Sequence, residues 1–158
     1  MSGIVGQVGA RSGKLTFQTS RVVQVKHDTT SSANISNNTP AWGTYVAEVT
    51  MVSPTAGNII YAWGTTGGYQ QTDYTDVWHY MDIMVDDSVN NEQQVYRGTL
   101  EYENTSNGYY GVGAGFPVAK YIVPSGSGDV TVRACPSEGG DGNLGLQRSF
   151  FIAMEVVE

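Results

Sequence analysis

The sequence predicts an all-β domain, an antiparallel sandwich or barrel. Apolar and polar residues alternate in run after run, which is the period of a half-buried strand. No window beyond about ten residues keeps the i, i+3, i+4, i+7 spacing of a helix without Gly, Pro or β-branched interruption. Turn residues separate the runs, and no βαβ rhythm appears. At 158 residues the chain suits one domain with a buried core.

The elements follow in order. Residues 1–40 read as a glycine-rich arm and linker with one or two short strands, in KLTF and RVVQVKHD. The polar stretch from Asp28 to Pro40 reads as a long loop, so the sandwich body spans residues 41–158. In TYVAEVTMVSP, Tyr45, Ala47, Val49 and Met51 share a face against Glu48 and Thr50, and Pro54 and Gly57 supply the turn. NIIYAWGTTGG puts Ile59, Tyr61 and Trp63 on one side. DVWHYMDIMVDD gathers Val77, Met81, Ile83 and Val85, with Asp82 opposite. QVYRGTLEYEN, GFPVAKYIVP and DVTVRACP are further strands. RSFFIAMEVVE closes the series with Phe150, Ile152, Met154 and Val156 on one face and Phe151, Ala153 and Val157 on the other. A strand apolar on both faces is covered on both, here by a second subunit or, alternatively, by a loop folded over the face. Phe150, Phe151, Ile152, Ala153 and Met154 are therefore the expected subunit contact.

Composition excludes several roles. The net charge of −7 and the scattering of the eight cations disfavour nucleic acid, whose phosphates need Lys and Arg. No stretch has the ~20 apolar residues of a membrane helix, and no apolar signal core follows Met1, so neither a membrane nor a secretory route is expected. The single cysteine, Cys135, has no intrachain disulfide partner and reads as an ordinary small strand residue.

Gly13–Lys14 invites comparison with a phosphate loop. The spacing fails, because Val8 stands where the first glycine belongs and Leu15 replaces the hydroxyl residue that would meet magnesium. The segment reads instead as an arm with apolar anchors Ile4, Val5 and Val8 and cations Arg11 and Lys14 for a partner. His27 and His79 are the sole histidines, and no G-x-S-x-G elbow exists, so no catalytic residue is assigned. Asp86, Asp87, Glu101, Glu103 and Asp141 offer carboxylates without a motif, and EGGDGN reads as a plain turn rather than a calcium loop. No cofactor or metal is expected. Tyr109 and Tyr110, in NGYYGVGAG, read as a loop for a glycan or protein partner.

Two resemblances add to this reading. GIVGQVGARSG, carried by Gly3, Ile4, Val5, Gly6, Gly9, Ala10, Arg11, Ser12 and Gly13, resembles a leader at the N-termini of structural proteins of tailed bacteriophages. The body, through TYVAEVTMV, GDVTVRAC and RSFFIAMEV, resembles the trimeric jelly rolls of the complement C1q and tumour-necrosis-factor type, without their stalk. Together they imply a non-enzymatic virion protein: an antiparallel jelly-roll β-sandwich with an extended N-terminal arm, trimeric, assembled in the host cytoplasm. The implied partners are further copies of the chain and the major capsid protein or other virion proteins. A head decoration or cement role is expected, because the chain has no repetitive shaft. The alternative is a tail-fibre tip or adaptor that recognises a host glycan.

Overall fold

The computed structural model describes residues 21–29, 33–35, 45–72, 77–103, 108–139 and 143–157. The strands are β1 (Arg21–Thr29), β2 (Ala33–Ile35), β3 (Ala47–Met51), β4 (Ile59–Thr72), β5 (Val77–Asp86), β6 (Gln93–Glu103), β7 (Gly108–Ile122), β8 (Val130–Gly139) and β9 (Asn143–Val157). Among the described residues there is no helix, as the missing helical period predicts.

The chain pairs as one long hairpin doubled on itself. β5 pairs with β6, β4 with β7, β3 with β8 and β1 with β9, all antiparallel. Lateral pairings of β4 with β9 and of β5 with β8 then join these hairpins into two sheets. Sheet A runs β1-β9-β4-β7, with β2 also on β9; sheet B runs β3-β8-β5-β6. Alternate pairs fall in alternate sheets, the arrangement of an eight-stranded jelly roll.

The core lies between the sheets. Ala47, Val49 and Met51 of β3 face Ala134, Val132 and Val130 of β8, and β5 adds Met81, Ile83 and Val85. Sheet A answers with Ile60, Ala62, Ala119, Tyr121, Phe151 and Ala153. These are every second residue along their strands, so alternation in the sequence becomes one buried face per sheet. The β3–β4 turn uses Gly57 at φ +85, and Asn58 N donates to Thr55 O at 3.0 Å.

Five elements differ from the expected bounds. β1 and β2, placed by sequence in the arm and linker, are members of sheet A along β9. β7 begins at Gly108, so Tyr109 and Tyr110 lie in a strand opposite Gln71 and Gln70, not in a loop. Ladder pairing along β4 decides there over the weak strand preference of its glycines. β9 reaches back to Asn143. β8 runs through Pro136, which has no N–H to donate; among the described residues β3 pairs no farther along β8 than Ala134, so Pro136 stands beyond that pairing. Tyr45 is exposed ahead of β3, with the Arg133 guanidinium 4.3 Å above its ring.

Candidate functional site

The two outward faces of the sandwich differ in chemistry. Among the described residues, outward side chains of sheet B pair with one another. Asp82 is fully buried there and accepts from Gln94 Nε2 (2.7 Å), Ser137 Oγ (2.7 Å) and Arg97 Nε (2.8 Å). Arg97 reaches out over the Tyr80 ring, and its hydrogen bond to Asp82 raises the guanidinium above its usual range. Glu48 forms an ion pair with Arg133 across the β3–β8 ladder, and the Thr50 and Thr131 hydroxyls meet beside it. Cys135 is buried on this side, opposite Asp82, and burial pushes its thiol up to about 12.

Sheet A presents apolar rows instead. Cross-strand partners share a face. One row is Val22–Val156–Ile59–Ile122, the next Val25–Met154–Tyr61–Lys120, the third His27–Ile152–Trp63, and the last Thr29–Phe150–Thr65. Val118 falls alongside Trp63 at the β4–β7 bulge. Val25 is 48% exposed, Val118 54%, Ile122 61% and Phe150 42%. Ile59 and Val156 are buried without belonging to the core between the sheets. The His27 ring stacks on Phe150 at 6.3 Å.

This divides the contact expected from the terminal strand. Phe150, Ile152 and Met154 lie on the outer face, whereas Phe151 and Ala153 are fully buried in the sandwich core and cannot meet a neighbour. The period of two required that split, since adjacent residues point to opposite faces. The arm residues Ile4, Val5, Val8, Arg11 and Lys14 lie outside the described residues. Tyr109 and Tyr110 are placed by register alone, in β7. Sequence reasoning missed Val25, Val118 and Ile122 as members of the surface, although Ile59, Tyr61 and Trp63 already stood on one side of their strand.

Carboxylates fix the end of the sandwich where β1 enters and β9 leaves. Glu155 is fully buried and accepts from Thr55 N (2.8 Å), Asn58 Nδ2 (2.6 Å) and Gln24 Nε2 (2.6 Å). Burial pushes its carboxyl up, but these hydrogen bonds together outweigh burial and hold it below the ordinary glutamate value. Gln24 also bonds both backbone groups of Val52, which staples β1 to the end of β3. Asp87 accepts from the Asn90 and Val89 amides and from the Tyr121 hydroxyl; these bonds again outweigh burial and lower its carboxyl. Burial and the bond to Asp87 push Tyr121 up to about 12. Each of these acids is engaged in hydrogen bonds within the fold, as befits buried charge. Among the described residues no cluster of three or more His, Cys, Asp or Glu is placed to hold a metal ion.

The fold and this surface define a jelly-roll β-sandwich with one outward face left apolar. No family model and no curated protein matches the chain. Solved structures give low-scoring matches. A structure of infectious bursal disease virus Gx strain is 11% identical with a TM-score of 0.30, covering 92% of this chain and 42% of that one. A crystal structure of the T13 viral particle of the same virus is 10% identical with a TM-score of 0.32, covering 92% of this chain and 39% of that one. The Gt strain of that virus gives 9% identity and a TM-score of 0.30. This chain spans about two fifths of the length of those chains, 39% to 42%. TM-scores of 0.32 and below decide nothing about this chain's role.

Proposed function

We propose that this chain is a non-catalytic structural protein of a virion, a head decoration or cement protein that assembles as a homotrimer and binds the capsid shell. The observation that carries the assembly role is the apolar outer face of sheet A, on a fold whose other outward face carries ion pairs among the described residues. A monomer has no use for such a surface, and contiguous apolar patches mark interaction sites. The phage-like leader supports the virion setting, and Ile4, Val5, Val8, Arg11 and Lys14 are the residues that would grip the major capsid protein. The saturated bonding of Asp82, Asp87 and Glu155 supports a structural role for the buried acids over acid–base work.

The test is location and number. Quantitative mass spectrometry of purified particles, with labelled imaging, should find this chain on heads in numbers stoichiometric with the shell. A few copies confined to the tail would replace decoration with the fibre-tip or adaptor role. Deleting residues 1–13 should abolish attachment and leave the soluble assembly intact; attachment that survives the deletion removes the arm from the reading.

A further inference from the structure

We infer that the outer face of sheet A docks a second copy of this chain, through the surface centred on Met154, Ile152, Tyr61 and Trp63 and bordered by Val25 and Val118. The inference rests on the reading of the chain as an assembly protein and names the partner of that surface. Two features select a second copy.

The first is size. The exposures of Val22, Val25, Val118, Ile122 and Phe150 amount to on the order of 500 Å² of largely apolar surface, within the range of a monomer's largest patch. One side of a standard protein interface buries roughly 800 Å², so this patch supplies its apolar core and leaves a polar rim to be added. Its pleated rows leave grooves for the side chains of a neighbouring copy, which in a trimer meets this face with a different part of its own surface.

The second is charge. The chain carries −7, so two copies repel through most of their surface. Among the described residues, the outer face of sheet A holds no carboxylate; its basic groups are His27 and Lys120. Asp28 and Glu155, the acids of β1 and β9, stand at inward-facing register positions, where Asp28 accepts from Glu48 N and Glu155 from Asn58. A copy that docks here meets neither of those acids.

The experiment measures mass by sedimentation and light scattering on the full chain across the micromolar range, with peroxide oxidation of Met154 followed in parallel. The wild type should exceed one chain in mass, and Met154 oxidation should slow as concentration rises. Val25→Asp combined with Val118→Asp changes two exposed positions and should weaken association at least about tenfold with folding retained. Thr50→Asp, on the outward side of sheet B, adds the same kind of charge and should leave association unchanged. The inference is overturned if the wild type stays at one chain, whether Met154 is fully reactive (the face then belongs to a different partner) or protected at every dilution (the chain then covers its own face). It is also overturned if the paired Asp variant associates normally, or if Thr50→Asp dissociates the assembly as well. Location on the virion is a separate measurement, so a failure of the virion reading leaves this result standing.

Discussion

Sheets A and B are built from strands of the same alternating pattern, yet they finish outward in opposite ways. Sheet B ends in Asp82 with Arg97, Gln94 and Ser137, and in Glu48 with Arg133. These side chains satisfy one another. Sheet A ends in valine, isoleucine, methionine and aromatic rings. Alternation specifies which residues go inside; it does not by itself say whether the other half is finished. A face that closes its own polar groups is a boundary, and a face of apolar rows leaves surface open to a further contact.

The largest expected break of this comparison is on the closed side. Asp82→Ala strands Arg97, Ser137 and Gln94 without their shared acceptor and should lower stability by about 3 kcal/mol in denaturant unfolding. Acid comes next. Glu155 and Asp87 are held below their ordinary values of 4.5 and 3.8. Their contribution is fully present above those values and is lost as pH falls through the lower folded-state values. Glu155→Gln should therefore flatten the acid limb of a stability–pH curve, at the expense of stability at neutral pH. On the open side, Val25→Ser and Val118→Ser should change monomer stability by no more than about 0.5 kcal/mol, while weakening self-association. A melt showing large destabilisation would mean that these residues pack against the chain's own core. The smallest effect is chemical: Cys135, raised to about 12 by burial, should resist alkylation at pH near 8 until the protein is unfolded.

Much of the fold is legible in the sequence because a strand's period is local. The pattern around Ala47, Val49 and Met51, and that around Met81, Ile83 and Val85, translates directly into core. The terminal strand shows the limit. Its two apolar faces are evident, but which one meets the other sheet depends on register with β1 and β4, and only that register sends Phe151 and Ala153 inward. Glu155 is illegible for the same reason: a glutamate near a chain end reads as solvated until Thr55, Asn58 and Gln24 converge on it. The first half of β7 was hidden by its glycines, whose strand state is set by the partner strand. The surface on sheet A needs four strands from distant parts of the chain, so no single window contains it.

The position of β9 has a consequence for biosynthesis. β9 follows the other eight strands along the chain, yet it is not an edge: it lies between β1 and β4 and is hydrogen-bonded along both. Until it emerges from the ribosome, β4 pairs only with β7 and β1 has no place in the sheet, so sheet A and its outer face are incomplete. Such long-range pairing makes folding slow and late. It also makes the surface an inspection step, because a nascent or prematurely terminated product has no complete face to present and is kept out of any assembly that forms through it.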